Sequence, residues 1–266
     1  MDIVEFNTLL SNFYLKEKRI LAWREQIDPY HVVLTELMLQ QTQVPRVQEK
    51  FPLFIQTFPT FESLAQADMV SILAKWQGMG YNRRAKYLKD IATIVENTYN
   101  GKVPEDPDLL DDMPGIGPAT ARSIVTYIYN KPELFIETNV RRVFIHHFFQ
   151  GTSDIDDSDI YPILQKAIDT VNPREWYYAI MDYGTYLAKQ VTNPNRKSKH
   201  YAKQSTFEGS KRQVRGAIIR ELVKEPLKAE ALVKLLGFEK KRTYDVLKDL
   251  ENERFIIKKN GKYKIE

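Results

Sequence analysis

The chain of 266 residues contains no cysteine and only four histidines. Without cysteine there can be no disulfide, no thiolate catalysis and no thiolate-ligated zinc or iron–sulfur cluster. His31, His146, His147 and His200 lack the spacing of metal ligands, so we expect no metal site. No apolar run approaches the ~20 residues that span a bilayer, and the acidic N-terminal segment resembles no export signal. We therefore expect a soluble, intracellular protein that does not associate with membranes.

Apolar residues make up 43% of the chain and aromatic residues 12%, enough to build a sizeable core. The net charge of +4 is unevenly distributed. Residues 191–266 carry 20 Lys/Arg and 10 Asp/Glu, whereas the remaining residues carry 19 and 25. The densest basic stretch, 196–215, is typical of a surface that contacts a phosphate backbone. A solvated linker would have the same composition, and charge alone does not separate the two.

Apolar residues recur at three- and four-residue steps along most of the chain, which predicts helices at 6–20, 69–73 and 85–94. No strand-like alternation precedes residue 250. After the basic stretch the pattern predicts helices at 212–224, 228–236 and 240–253, followed by a hairpin at 255–265 that turns at Asn260-Gly261. Three helices and a hairpin indicate a small winged-helix domain, with a boundary near residues 200–212.

A hairpin that binds phosphate is predicted at Met113-Pro-Gly-Ile-Gly117, which Pro118 and an apolar helix follow. Two glycines around one apolar residue favour a tight turn, and proline suits the first position of a helix. The exposed N–H groups at such a helix start can bind a DNA phosphate. Helical patterns on both sides favour a helix–hairpin–helix element over an ordinary turn.

Two glutamates are candidates for acid–base chemistry. Glu36 lies in the apolar segment 31–44, with Gln40 and Gln43 predicted on the same helical face. Burial raises the pKa of a carboxyl group, so that Glu36 could act as a general acid. Glu36 could also lie on a narrow solvent-exposed stripe of the helix. The residues alone modestly favour this exposed position.

Glu137 precedes a predicted helix that runs to Phe149, with Thr138 or Asn139 as its N-cap. The helix dipole would favour the ionised form of Glu137 and lower its pKa. One neutral acid and one anion is the pair that cleavage of a glycosidic bond requires. A charge at a helix terminus is also common without any catalytic role.

Four motifs in this order give the sequence a specific resemblance: LTELMLQQTQV (34–44), WQGMGYNRRAKYL (76–88), MPGIGPATARSI (113–124) and IETNVRRV (136–143). Over about residues 10 to 216 the chain resembles the adenine DNA glycosylase branch of the helix–hairpin–helix (HhH-GPD) glycosylases. The resemblance implies a mainly α, two-lobed fold with a small C-terminal winged-helix domain. It also implies removal of mispaired adenine, opposite G or 8-oxoG, in base excision repair.

The resemblance assigns roles to individual residues. Glu36 matches the acid that protonates the departing adenine, and Gly115 and Gly117 match the phosphate-binding hairpin. The residues implied in the base pocket or as duplex wedges are Gln40, Gln41, Tyr81, Ala119 and Asn139. The basic residues expected at DNA phosphates are Arg196, Lys197, Lys199, Lys203, Lys211 and Arg212.

Three positions depart from the family pattern. Glu137 stands where the family has a catalytic aspartate, so the charge is kept on a side chain one methylene longer. Ala119 stands where bifunctional relatives carry a Schiff-base lysine, so we expect base release without strand cleavage. Residues 187–204 contain none of the cysteines that hold the family's iron–sulfur cluster, so we expect no cofactor.

We therefore predict a glycosylase domain at 1–205, with lobes at about 22–131 and at 1–21 plus 132–205, and a basic linker and winged helix at 206–266. The predicted protein is a monofunctional DNA N-glycosylase, a monomer that binds duplex DNA carrying a mismatch or lesion. In a prokaryote it would be cytoplasmic and nucleoid-associated. Two alternatives remain: a thymine or uracil glycosylase acting on G:T or G:U, and a catalytically silent protein that binds damaged DNA.

Overall fold

A computed structural model describes residues 1–203 and 206–266, which form two compact units. The first unit comprises Met1–Glu36 and Val103–Lys203, and the second comprises Leu37–Lys102 with the described part of Gln204–Glu266. These units group the chain differently from the predicted lobes. Ser205, the predicted end of the glycosylase domain, lies outside the described residues, and the predicted domain division stays a prediction.

The described residues of the first unit are mainly helical. The helix α3 begins in this unit and ends in the second. The elements are α1 (Ile3–Glu17), α2 (Ala22–Glu25), α3 (Pro29–Leu39), α8 (Pro107–Asp111), α9 (Pro118–Tyr129), α10 (Thr138–Phe148), α11 (Asp157–Ala167), α12 (Pro173–Gln190) and a short 3-10 helix (Pro194–Lys197).

The second unit combines a helical segment with the C-terminal module, defined here as residues 211–266. Its elements are α4 (Val44–Thr57), α5 (Phe61–Gln66), α6 (Met69–Trp76), α7 (Arg83–Tyr99), α13 (Lys211–Lys224), α14 (Ala229–Leu236), α15 (Lys240–Asn252), β1 (Ile256–Lys259) and β2 (Lys262–Ile265). The helices predicted at 6–20, 69–73, 85–94, 212–224, 228–236 and 240–253 are all present, with ends that differ by a few residues.

An aromatic-rich core holds the first unit together. Phe6 of α1 packs edge-on against Phe144 of α10, with ring centroids 5.5 Å apart, and Tyr177 of α12 stacks on Phe135 at 4.0 Å. All four side chains are almost completely buried. Burial of each large apolar side chain contributes roughly 1.5–3 kcal/mol, so this core fixes α1, α10 and α12 against one another.

Arg84 organises two loops of the second unit. It is 5% exposed, and its guanidinium donates to the carbonyls of Leu37, Met38 and Gln40 at 2.7–2.8 Å. It also donates to the carbonyls of Met79 and Gly80 at 3.1 and 3.2 Å. The carbonyls at a helix end lack partners within the helix, and a cation is favoured there. Arg84 therefore closes α3 and joins its end to the turn before α7.

The C-terminal module has the predicted three helices and hairpin. β1 and β2 are antiparallel, and Asn260 and Gly261 at the turn have φ of 51° and 75°. Two positive φ values are the requirement of the type I′ turn that Asn-Gly favours. The assignment of this module as a winged helix stays a prediction at this point.

One local prediction was wrong. The segment 31–44 is not a single helix: α3 ends at Leu39, Gln41 has a φ of 54°, and Gln43 is the N-cap of α4. Gln40 and Gln43 therefore do not extend the helical face of Glu36. Pro45 at the start of α4 explains the break, because proline suits the first turn of a helix and cannot continue a preceding one.

No helix within residues 1–203 or 206–266 is long and apolar enough to cross a membrane. The predicted location in the cell remains a prediction.

Candidate active site

Glu36 is a partly buried acid on α3. Its Oε2 lies 2.5 Å from Ser123 Oγ of α9. The pKa of Glu36 is raised to about 7, because burial, aided by the negative charge of Glu137, outweighs the Ser123 hydrogen bond and the Arg24 charge, which lower it. Glu36 is therefore protonated in a large fraction of molecules near neutral pH, as a general acid must be.

The Ser123 hydroxyl suits both protonation states of Glu36. Ser123 Oγ is also 2.9 Å from the Thr120 carbonyl, and the side chain is 4% exposed. A hydroxyl has one proton to donate and lone pairs to accept. It can donate to ionised Glu36, or donate to Thr120 while accepting the proton of neutral Glu36. The contact thus survives proton transfer.

Glu137 is the N-cap of α10, a role that we predicted for Thr138 or Asn139. Its Oε1 accepts the backbone N–H groups of Asn139 and Val140 at 2.5 and 2.9 Å. A glutamate rarely takes this position, and it can do so here because its backbone is extended (φ −117°, ψ −175°). The carboxylate is thereby held against the positive end of the helix.

The predicted lowering of the Glu137 pKa is also wrong. Burial raises the pKa of Glu137, and this outweighs the two backbone hydrogen bonds and the charges of Arg142 and Arg141, which lower it. The sequence shows the helix start but not how far the carboxyl is desolvated. The two glutamates therefore have pKa values raised by the same cause, and the value for Glu36 reaches about 7.

Arg24 and two tyrosines complete the surroundings of Glu36. Arg24 Nη1 lies 2.9 Å from Asp182 Oδ1, and its guanidinium lies 4.2 Å from the Tyr178 ring centroid. Tyr127 and Tyr178 stack at 4.9 Å. Burial raises the pKa of Tyr178 to about 12 and that of Tyr127 further, with the Glu36 charge contributing to both. Both phenols therefore stay neutral beside the acid.

Asn139, a predicted base-pocket residue, contacts the second glutamate. Its Nδ2 lies 3.3 Å from Glu137 Oε2, and its Oδ1 accepts from Arg142 Nη1 at 2.6 Å. Arg142 Nη1 also donates to the Gly184 carbonyl at 2.9 Å. These contacts fix the start of α10 to α12.

Gly184 permits this close approach. A Cβ at this position would lie 2.6 Å from Asn139 Cβ and 3.1 Å from its Cα and carbonyl oxygen. Overpacking of this kind costs about 1–3 kcal/mol. We expect Gly184→Ala to lower the free energy of unfolding by that amount, measured by urea denaturation. Gly216→Ala on α13 is the matched control, because a Cβ there meets nothing within 4 Å. Equal stability of the two variants would contradict this account.

The predicted hairpin is present between α8 and α9. Gly115 has a φ of 77°, Gly117 is the N-cap of α9, and Pro118 follows it. Ala119, one residue later, is partly buried and packs against the core of the first unit. The hairpin leads into the N-terminus of α9, a twelve-residue helix, and the backbone N–H groups at a helix start favour anions; phosphate binding here stays a prediction.

The basic segment 191–203 packs against the start of α10. Asn195 is 6% exposed, and its Nδ2 donates to the Thr138 carbonyl at the start of α10 at 3.0 Å. Ile155 forms two backbone hydrogen bonds with this segment. Its N–H donates to the Lys197 carbonyl at 2.9 Å, and its carbonyl accepts from the Lys199 N–H at 3.0 Å. The segment is therefore fixed against the helix that carries Glu137.

Amide, hydroxyl and ammonium groups in this segment do not fit an iron–sulfur cluster, which requires thiolates. Within the described ranges, no group of three or more His, Asp or Glu could hold a metal ion. The expectation that the protein needs no cofactor stays a prediction. Of the basic residues predicted to contact phosphate here, Arg196, Lys197, Lys199 and Lys203 are exposed.

The other predicted residues lie in the second unit and line one cavity of about 950 Å³. These are Gln40, Gln41, Tyr81, Lys211 and Arg212. Gln41 and Tyr81, the two predicted wedges, both have positive φ, 54° and 46°. Non-glycine residues in this conformation are strained and are concentrated at functional sites. Lys211 pairs with Asp249 at 3.3 Å, and Arg212 donates to the Tyr81 hydroxyl.

Sequence reasoning missed several residues of this site. Ser123, Tyr127 and Tyr178 gave no signal, because the Ser123 hydrogen bond to Glu36 and the effect of the Glu36 charge on the two tyrosines depend on how three helices pack. Asp182 did give a sequence signal, and it pairs with Arg19 and Arg24 at 2.7 and 2.9 Å. An acid with 2% exposure in a largely apolar helix requires a cationic partner.

Residues 34–169, just over half of the chain, match the family model described as HhH-GPD superfamily base excision DNA repair protein. The chain belongs to this superfamily, and its predicted mainly helical fold is confirmed.

Among its relatives, the adenine DNA glycosylase of Mycobacterium tuberculosis is 37% identical over 194 residues, covering 70% of this chain and 62% of the relative. The adenine DNA glycosylase of Buchnera aphidicola is 30% identical over 196 residues, covering 72% and 55%. The chain thus spans less than two thirds of either relative.

Two solved structures share the fold. A thermostable thymine-DNA glycosylase has a TM-score of 0.60 at 22% identity, covering 68% of this chain and 85% of that chain. Endonuclease III, trapped as a covalent intermediate with DNA, has a TM-score of 0.58 at 18% identity, covering 69% and 85%.

Proposed function

We propose that the protein is a monofunctional adenine DNA glycosylase of base excision repair. The observation that carries this proposal is the raised pKa of Glu36, about 7, in a carboxyl that contacts Ser123 and senses the charge of Glu137. A protonated acid beside a second carboxyl group is what departure of a base from a sugar requires. Relatives that are named adenine DNA glycosylases support adenine as the base.

In the proposed reaction Glu36 transfers its proton to the departing adenine as the N-glycosidic bond breaks. The bond's electron pair leaves with the base, and positive charge develops on the sugar. Glu137, in its ionised form, stabilises that charge. Water then adds to the anomeric carbon and loses a proton, which leaves an abasic site.

Ala119 supports base release without strand cleavage. An alanine has no amine with which to attack the sugar, so no Schiff base can form at this position. A cut strand would therefore appear only after alkali treatment of the abasic product.

The proposed substrate is duplex DNA with adenine opposite G or 8-oxoG, bound by a monomer. The wedges Gln41 and Tyr81 would offset the few kcal/mol that extrusion of a base costs. The helix start at Gly117 and the exposed cations Arg196, Lys197, Lys199 and Lys203 would contact phosphates.

The test is single-turnover base release from end-labelled duplexes carrying 8-oxoG:A, G:A, G:T and G:U, each with and without alkali. We expect alkali-dependent cleavage at adenine. Cleavage restricted to thymine or uracil would overturn the assignment of adenine as the base that is removed. Binding of every duplex with no cleavage would overturn the activity and favour a silent damage-binding protein.

The Ser123 contact opposes the effect of burial on the pKa of Glu36 and therefore shifts the pH range of the reaction. The hydrogen bond stabilises ionised Glu36 and lowers its pKa, so Ser123→Ala should raise the pKa above about 7. A hydrogen bond to a charged group is worth about 1.5–3 kcal/mol, and 1.36 kcal/mol corresponds to one pKa unit. We expect the alkaline limb of the rate profile to move up by about one pH unit. An unmoved limb would contradict the contact's role, and Ser71→Ala, at a helix start in the second unit, is the control.

A further inference from the structure

The C-terminal module has the chain order of a winged helix. After α13, Leu227 forms an antiparallel bridge with Tyr263 of β2, followed by α14, α15 and the β1–β2 hairpin. Residues 237–239 join α14 to α15, beginning with Gly237 at a φ of 68°. A short turn containing glycine between two helices is the helix-turn-helix arrangement, in which the second helix enters the DNA major groove.

The charges at the start of α15 are unfavourable for the free protein. Lys240, Lys241 and Arg242 occupy the first turn, which contains no acid, and the N-cap Glu239 makes no side-chain cap hydrogen bond. A cation at a helix N-terminus costs about 0.3–1 kcal/mol, because the dipole is positive there. Three exposed cations at that end are unfavourable for stability and favourable for binding a polyanion.

The hairpin shows the same conflict. Lys259 and Lys262 are directly opposite in the strand register, beside the Asn260-Gly261 turn. Like charges in this relation destabilise a sheet. Lys258, Lys259 and Lys262 are all exposed. Among the described residues, none of these six cations takes part in an ion pair.

α15 carries three acids, Asp245, Asp249 and Glu251, which all follow its first turn and are exposed. Asp249 pairs with Lys211 at 3.3 Å, and Glu253, directly after the helix, pairs with Arg215 at 2.6 Å. These ion pairs reduce the repulsion that Asp249 and Glu253 exert on an approaching anion. The start of α15 and the hairpin therefore remain strongly cationic.

From these observations we propose that the C-terminal module is a second binding site for duplex DNA, with α15 in the major groove and the hairpin on the adjacent backbone. The exposed residues that would contact DNA are Lys240, Lys241, Arg242, Lys258, Lys259 and Lys262. As a contribution to repair, the inference rests on the proposed function. As a DNA-binding site, it rests on the module alone.

The module is attached firmly to the segment that carries the wedge. Arg212 of α13 donates to the Tyr81 hydroxyl, and its guanidinium lies 5.5 Å from the ring centroid. Arg83 Nη2, two residues beyond Tyr81, lies 2.5 Å from Glu253 Oε1. The wedge Tyr81 and the C-terminal module thus belong to one body. When DNA binds at one of them, the other is held close to the same DNA at a high effective concentration.

The experiment compares two triple variants of the full chain with a matched control. One variant combines Lys240→Gln, Lys241→Gln and Arg242→Gln, and the other combines Lys258→Gln, Lys259→Gln and Lys262→Gln. The control replaces three exposed lysines of the first unit, Lys16, Lys18 and Lys166, by glutamine. Binding of an undamaged 30-base-pair duplex is measured by fluorescence anisotropy between 50 and 200 mM KCl.

Each phosphate contact contributes about 0.9 to the slope of log affinity against log salt. We expect each triple variant to lose about tenfold or more in affinity and about 2 to 3 in slope, with the control unchanged. A module variant with wild-type affinity and slope would overturn the proposal. The six cations would then be better explained as a surface that binds an acidic protein partner.

Two further results separate this inference from the proposed function. If wild type excises no base but the module variants still lose affinity, the DNA-binding site stands and the glycosylase proposal fails. Relief of the repulsion between Lys259 and Lys262 should also raise the melting temperature of Lys259→Gln in the absence of DNA. A lower melting temperature would overturn the inference that repulsion between these two lysines destabilises the β1–β2 hairpin in the free protein.

Discussion

Replacement of Glu36 by glutamine is expected to slow adenine release by about 100-fold to 10,000-fold, the usual range for loss of a general acid. Glutamine keeps the size of the side chain and a carbonyl oxygen that can accept from Ser123. It has no proton to transfer to the leaving base. The loss should therefore appear in the single-turnover rate at saturating enzyme, with little change in duplex affinity.

The same variant should be as stable as wild type at pH 5 and more stable at pH 8. The pKa of Glu36 in the folded protein, about 7, lies above its ordinary value of 4.5. Between these two values the folded protein holds a proton that the unfolded chain releases, so stability falls as pH rises through this window. Glutamine does not titrate, so the variant does not lose stability as the pH rises through this window. Excision by Glu36→Gln within a few-fold of wild type would contradict the assignment.

The second large effect is expected at Glu137, where charge and helix capping can be separated. Glu137→Gln retains an oxygen that can accept the Asn139 and Val140 N–H groups, so the free energy of unfolding should change by less than about 1 kcal/mol. It loses the negative charge that would stabilise the cationic sugar. Loss of one preorganised electrostatic contact costs about 100-fold to 1,000-fold, which single-turnover adenine release would show.

Glu137→Asp is the matched comparison, because it keeps the charge and shortens the side chain by one methylene. We expect it to lose less activity than Glu137→Gln, or to gain. Equal turnover by wild type and Glu137→Gln would refute a catalytic role for Glu137 and leave it as a capping residue.

Local sequence signals predicted most of the fold correctly. The glycines at 115 and 117 with Pro118 gave the hairpin between α8 and α9, and Asn260-Gly261 gave the turn between β1 and β2. These features depend on backbone conformations that few residue types adopt. The continuation of α3 to Gln43 was wrong, since apolar periodicity persisted across a break that Gln41 and Pro45 impose.

The candidate site was less predictable, because its chemistry depends on contacts between distant residues. Ser123 lies 87 residues from Glu36 in sequence, and no local pattern indicates their hydrogen bond. The apolar helix around Glu36 allowed a raised pKa, but the residues alone modestly favoured an exposed carboxyl group, and only the family resemblance favoured the acid. The raised pKa of Glu137 was not foreseen, since the dipole is visible in the sequence and the degree of burial is not. Asn195 was missed for the same reason, because its contact with Thr138 spans 57 residues.

The most direct test of the account is the pH dependence of single-turnover adenine release from an 8-oxoG:A duplex at saturating wild-type enzyme. The account predicts a fall of about tenfold per pH unit above pH 7, as Glu36 loses its proton, and a decline at acidic pH where Glu137 takes up a proton. A rate that stays constant or rises from pH 7 to pH 9 would contradict the claim that a protonated Glu36 drives departure of the base.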